Sequence, residues 1–303
     1  MTAIKVKNVT KTFDGKKVID DLSFEVESGT ICGFLGLNGA GKTTTFKLLN
    51  SLIPATSGQI EILGQQVTTK NPSKDIKFLQ DVPEFYHYMT ASEYLKFICE
   101  LNDMDDISNR ISEVLELIGM KKAENKRIGT FSRGMKQRIG INANIISNPK
   151  ILLLDEPVSA LDPVGRKEVF NLLEQLRGKM TILFSSHIIE DVERISDKII
   201  MIHDGKKIID SSLLEMTNKL TSNKLEVECF NMNDTYRIFN LFTNDLDVVC
   251  ELLDEKENLT FETQDMSLFQ KKLFKLLSQE GISIKSIKVL KPSLEDIFVG
   301  KVV

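Results

Sequence analysis

Residues that ligate metals or cross-link chains are scarce here. Four cysteines, Cys32, Cys99, Cys229 and Cys250, are scattered through 303 residues without a C-x-x-C pair, and there are only three histidines. That spacing excludes a zinc site or a disulfide framework and suits a reducing cytosol. Long apolar runs are also lacking. The N-terminal MTAIKVKNVT has no apolar stretch of the kind a signal peptide needs. Runs such as ILLL at 151–154 fall far short of the roughly 18 residues of a membrane helix. Any work at a membrane then needs another chain to span it. Nor is there a surplus of positive charge: the net charge is −4, which argues against a dedicated nucleic-acid binder. What is present is 42% hydrophobic residues, enough for a real core.

The pattern of that apolar material is α/β. AIKVKNVTKTF and KKVIDDLSFEVE alternate apolar and polar residues and predict antiparallel edge strands. ICGFLG (31–36) predicts a buried strand, TTTFKLLNSL a helix stopped by Pro54, and GQIEILGQQV a strand pair. From about Thr90 the spacing turns helical. Tyr94, Phe97, Ile98 and Leu101 share one predicted face; Ile111, Val114, Leu115 and Ile118 share another. This helical subdomain, about 90–148, interrupts a core that returns at 151–157, 180–187 and 198–208. A composition shift near 215 divides the chain into 1–215 and 216–303. The second part predicts strand (224–230), helix (234–243), two strands (246–253, 257–263), helix (267–280) and strand (283–290), a ferredoxin-like βαββαβ order.

GLNGAGKTT comprises Gly36, Leu37, Asn38, Gly39, Ala40, Gly41, Lys42, Thr43 and Thr44 and fits G-x-x-x-x-G-K-[ST]. Its glycines let backbone N–H groups turn inward around a phosphate, and the helix that follows adds its positive end. Lys42 reaches the β- and γ-phosphates, and the Thr43 hydroxyl ligates Mg²⁺. The bland alternative is a glycine-rich turn with a chance lysine. In ILLLDEP the apolar run predicts a strand buried on both faces, whose C-terminal end faces a ligand. There Asp155 would organise the metal and Glu156 would act on attacking water; on their own they would be solvated strand-end acids. His187 ends ILFSSH at another strand end and can reach a γ-phosphate; a lone histidine there is usually only a surface residue. Ser132 suits a helix N-cap, and Gly134 admits a bulky anion. With Ile139, Ile141, Ile145 and Ile146 anchoring the helix, TFSRGMKQRIG is a second anion-binding helix start.

Over about 1–215 these ordered motifs resemble the nucleotide-binding subunits of ATP-binding cassette (ABC) transporters. The resemblance implies a P-loop NTPase cassette with a mixed sheet, an antiparallel edge and a helical subdomain, followed by a small α+β domain of accessory or regulatory role. FSRGMKQR resembles the family signature, SALD (159–162) the loop after its acidic strand, and His187 its switch histidine. The resemblance further implies that Phe13 stacks on adenine. It also implies head-to-tail packing, in which the signature, with Ser132, Arg133 and Gly134, covers the partner's γ-phosphate, and it implies that Asp162 binds nucleotide. Cofactors would be ATP and Mg²⁺. Partners would be a separate transmembrane permease and a second copy or similar subunit, with the chain cytoplasmic and peripheral on the inner face of the cell membrane. Arg133 and the C-terminal KPSLEDIFV (291–299) resemble the type-2 exporter branch. At the usual glutamine-loop position stands either Gln80 or Asp81, and a carboxylate there alters the charge around the metal. The rival expectations are a soluble cassette ATPase and a low-turnover regulatory or self-resistance subunit.

Overall fold

The computed structural model describes residues 1–159, 161–219, 224–243, 245, 247–252 and 258–290. Two compact units divide it, Met1–Leu213 and Leu214–Val303.

In the first unit β1 (Thr2–Phe13) and β2 (Lys16–Glu27) form a hairpin around Asp14 and Gly15. β3 (Ile31–Leu35) leads through the phosphate loop into α1 (Lys42–Leu49). β4 (Ser57–Ile62) and β5 (Gln65–Gln66) return to the hairpin and complete an antiparallel sheet of order β2-β1-β4-β5. The strands expected at an edge of the main sheet thus make a sheet of their own. Nor does Pro54 stop α1. Asn50 already caps it, and Ser51 turns the chain with a left-handed φ of 58°.

β6 (Ile76–Leu79) is followed by the helical subdomain: α2 (Ala91–Leu101), α3 (Ile107–Leu117) and α4 (Arg133–Ile145). Thr90 and Glu93 form a reciprocal capping box at the start of α2. The buried stripe of α2 is Ala91, Leu95 and Cys99, shifted from the expected face, and Leu101 is exposed. Aromatic contacts explain the shift: Phe85 and Tyr86, from the preceding loop, meet Tyr94 and Phe97 edge-on and leave those rings at a rim. On the next helix Ile111, Val114, Leu115 and the following Ile118 are all buried.

The unit closes with β7 (Ile151–Leu154), α5 (Pro163–Leu176), β8 (Thr181–Ser186), α6 (Ile189–Ile195), β9 (Lys198–His203) and β10 (Lys206–Ser212). They build a six-stranded sheet of order β10-β9-β3-β8-β7-β6, parallel except for β10. β3, β7 and β8 are buried at every residue, which is why β3 and β7 are apolar without alternation and β8 carries an apolar run, 182–184, between buried Thr181 and Ser185. Because β8 lies between β3 and β7, three strand ends open side by side at one edge. Phe24, Phe34, Phe46 and Phe78 make a chain of ring contacts with centroids 5.6, 5.7 and 6.2 Å apart, joining β2, β3, α1 and β6. Each buried ring is worth about 1.5–3 kcal/mol, so the helix behind the phosphate loop is fixed to both sheets.

α7 (Leu213–Lys219), which the sequence reading omits, precedes β11 (Lys224–Cys229), α8 (Met232–Phe242), β12 (Val248–Leu252), β13 (Asn258–Thr263), α9 (Met266–Glu280) and β14 (Ile284–Leu290). The sheet order β12-β13-β11-β14, antiparallel throughout, is ferredoxin-like. Its core joins Leu225, Val227 and Leu259 to a triad of Phe242, Phe261 and Phe269. The segment KPSLEDIFV lies outside the described residues. Among the described residues no helix is long and apolar enough to cross a membrane.

Candidate active site

The end of β3 supplies the cradle. Gly41 has φ 105° and caps α1, and a Cβ there would lie 2.5 Å from Ile19 Cδ1, so no other residue fits without displacement. Gly39, at φ 83°, has nothing within 4 Å of its virtual Cβ and faces the open mouth. The first-turn N–H groups of α1 have no intrahelical acceptors and are the anion-binding end of the helix. Lys42 is 6% exposed. Its Nζ donates to Gly36 O at 2.7 Å and Leu37 O at 3.3 Å, and pairs with Glu156 Oε1 at 3.0 Å.

β7 delivers the acids. Thr43 Oγ1 donates to Asp155 Oδ2 at 2.6 Å, and Ser185 Oγ donates to Asp155 Oδ1, also at 2.6 Å. Burial pushes the Asp155 carboxyl above the usual carboxylate range, while the Ser185 and Thr43 hydroxyls work against that rise. Glu156 takes a left-handed backbone, φ 46°, and its N–H donates to Ser185 Oγ at 2.8 Å. Glu156 Oε2 is 2.9 Å from His187 Nδ1, and Oε1 is buried with no hydrogen bond besides its ion pair. At the end of β8, Ser186 Oγ accepts from Ile188 N at 2.9 Å and turns the chain at the half-exposed His187, whose ring meets Glu156 on the cleft wall.

Of these groups Gly39, Gly41, Lys42, Thr43, Asp155 and Glu156 line a cleft of about 320 Å³, with Val18, Thr44 and Asp81 also on its wall. Asp81, Asp155 and Glu156 face one ammonium, Lys42, so polyphosphate binding here requires a cation. The Thr43 hydroxyl and Asp155 carboxylate are hard oxygen donors that suit Mg²⁺, which takes few protein ligands and the substrate's phosphates. Asp81 also accepts from Ser159 Oγ at 3.2 Å, whereas Gln80 is exposed and its amide turns back to Val82 O. Phe13 is not on the cleft wall; it is 43% exposed, with Lys11 Nζ 4.7 Å from its ring centroid.

Ser132, Arg133, Gly134 and Asp162 assemble elsewhere. Ser132 caps α4, its Oγ accepting from Met135 N at 3.2 Å, and Asp162 caps α5, its Oδ1 accepting from Gly165 N at 2.9 Å. Ile139, Ile141, Ile145 and Ile146 are buried behind the first of these helices. The two helix starts open into a second cleft of about 340 Å³, which shares no lining residue with the first.

Sequence reasoning missed Ser185. It also missed the pair in which Arg166 of α5 places one guanidinium nitrogen 2.6 Å from each oxygen of Asp191 on α6. Ser185 had a signal, a polar residue ending an apolar run two positions before His187. The Arg166–Asp191 pair had none, since its partners are 25 residues apart on different helices.

Residues 19–159 match the ABC transporter family, and residues 212–302 match the C-terminal domain of DrrA1-3-like ATP-binding proteins. The chain is 36% identical over 302 residues to the bacitracin transport ATP-binding protein BcrA of Bacillus licheniformis, covering 98% of this chain and 96% of that one. It is 31% identical over 208 residues to the lantibiotic transport ATP-binding protein SrtF of Streptococcus pyogenes, covering 68% and 90%. Among solved structures, an ATP-binding subunit of an ABC transporter matches with a TM-score of 0.65 and 25% identity, over 72% of this chain and 92% of that one. A phosphate cradle on this fold, and kinship running the length of both chains, lead to one conclusion: the protein belongs to the ATP-binding subunits of ABC transporters, enzymes that hydrolyse ATP.

Proposed function

We propose that this chain is the ATPase of a type-2 ABC exporter. Two copies, or one copy and a similar subunit, close around two ATP molecules and drive a separate membrane-spanning partner from the cytoplasmic face of the cell membrane. The observation that carries this reading is the division of the machinery. The cradle of Gly36–Thr44 and the tip of α4 open into clefts with no residue in common. This division supports an arrangement in which a γ-phosphate held by one copy meets Ser132, Arg133 and Gly134 of a second copy.

Lys42 and His187 both rest on Glu156. An arriving γ-phosphate takes over Lys42 and offers His187 an oxygen, which leaves the Glu156 carboxylate free to polarise water. Lys42, the α1 amides and the partner's Ser132 then spread the charge that builds on the transferring group. Thr43 and Asp155 would hold Mg²⁺, which would supply neutralisation of phosphate charge; Asp81 adds a third carboxylate to the same cleft. Phe13 would pack on adenine, and Asp162 would face the partner's site. Exposed Val82, Tyr86 and Tyr88 give the loop before α2 an apolar surface for the membrane partner. The names of two relatives, bacitracin transport and lantibiotic transport, support an antimicrobial compound as cargo. Residues 216–303 would serve as an accessory domain.

Light scattering of hydrolysis-blocked Glu156→Gln chains tests the dimer. Mg-ATP should double their mass, and adding Ser132→Arg to the same chains should prevent it. Chains that stay monomeric in saturating Mg-ATP overturn the sandwich.

A further inference from the structure

One hydroxyl connects both acids of the cleft. Ser185 is fully buried in the middle strand, β8. Its Oγ donates its only proton to Asp155 Oδ1 at 2.6 Å and accepts from the backbone N–H of Glu156 at 2.8 Å. A hydroxyl has one donor and two acceptor positions, so the first bond fixes the proton and the second uses a lone pair. The other oxygen of Asp155 is held by Thr43 Oγ1, and the carboxylate plane is set by two hydroxyls, one from the cradle and one from β8. Glu156 stands in a left-handed backbone, which a residue with a side chain keeps only when its surroundings enforce it. The bond from its N–H to Ser185 is an enforcing contact, and that backbone turn aims the Glu156 carboxylate at Lys42 and His187.

We infer that Ser185 is a positioning residue for ATP hydrolysis: its hydroxyl registers Asp155 and the strained peptide of Glu156 against each other, so that both carboxylates meet the nucleotide in one fixed geometry. This rests on the reading of Glu156 as the group that acts on water. Ser185 itself is fully buried and does not line the cleft. Alanine leaves the cradle and Lys42 intact, so ground-state binding survives its loss. The chemical step does not, because a misplacement of about 1 Å costs on the order of 100-fold in rate.

The test compares Ser185→Ala and Ser185→Thr in the full chain, reading kcat from phosphate release and affinity from equilibrium binding of a fluorescent ATP analogue. Alanine should lower kcat about 10- to 100-fold with affinity within about twofold of the parent. Threonine, which restores the hydroxyl, should recover most of the rate. A kcat for alanine within about twofold of the parent overturns the inference. So does an equal loss in both variants, which would report volume rather than the hydroxyl. Should the alanine chain fail to fold, cysteine replaces it in the same comparison. Glu156→Gln is run alongside. If it too turns over normally, the assignment of Glu156 has failed; if it is blocked while alanine is not, only the role of Ser185 has.

Discussion

Replacing Glu156 by glutamine keeps the side chain's shape and removes one negative charge. The carboxylate oxygens of Glu156 lie 3.0 Å from Lys42 Nζ and 2.9 Å from His187 Nδ1. The amide oxygen can still accept from Lys42, so the cradle should keep its form. What is lost is the group able to take a proton from water. A positioned general base contributes about 10²–10⁴-fold, or about 2.7–5.4 kcal/mol on the barrier. Binding should move the other way. Three carboxylates face one ammonium in this cleft, and the substitution removes the one nearest Lys42. Repulsion of the γ-phosphate falls and Lys42 loses a competing partner, so ATP affinity should hold or tighten, by up to about tenfold, ~1.4 kcal/mol. Single-turnover phosphate release and an equilibrium ATP titration on the full chain read the two effects separately. Hydrolysis within threefold of the parent refutes the base. An affinity loss beyond tenfold refutes the reasoning differently, since Glu156 would then be a strut that holds Lys42 in place.

Lys42→Ala removes a buried cation with charge-assisted contacts worth about 1.5–3 kcal/mol, and ATP titration should show at least a tenfold loss; unchanged affinity contradicts the cradle. Gly33→Ala places a Cβ 2.3 Å from Val192 Cγ1 and 2.7 Å from Ser196 Oγ. Overpacking of α6 against β3 should cost about 1–3 kcal/mol, and an unshifted melting temperature would contradict that packing. In the second unit the Lys272 ammonium hydrogen-bonds Asp245 and holds its carboxyl below the usual carboxylate range. Because the folded value is depressed, this contribution is full above the unfolded pKa near 3.9 and is lost as pH falls through the folded one. Lys272→Met should therefore move acid-induced opening of this unit to higher pH, as read by hydrogen exchange across β12 and α9; an unmoved midpoint shows the pair to be inert.

Much of this molecule is legible in its sequence because its signals are local. The phosphate loop, ILLLDEP and the serine N-cap are contiguous, and each states its own secondary structure. The ferredoxin-like order of the second unit follows from short apolar runs separated by turn residues. What escaped depends on pairing at a distance. Whether β1 and β2 flank the main sheet or form their own depends on β4, which pairs with β1 rather than with β3. The buried face of α2 shifted because Phe85 and Tyr86 cover part of it. Gln80 and Asp81 are indistinguishable by spacing; they separate only once the chain leaves β6 at Leu79 and turns one side chain back on Val82 while the other meets Ser159. Ser185 stands out as polar in its strand, but its partner shows only when the sheet order sets it beside Asp155.

That the cradle and the tip of α4 open into separate clefts has a kinetic consequence. On the proposed sandwich a lone copy would hold nucleotide without spending it, and the hydrolysis rate of a dilute preparation should scale with the square of chain concentration until association saturates. Dilution alone would then silence the enzyme. Two copies seated on one spanning partner would escape that law, because tethering replaces bulk concentration with a local one. The same surface that receives the membrane partner would thereby set the basal rate of fuel consumption.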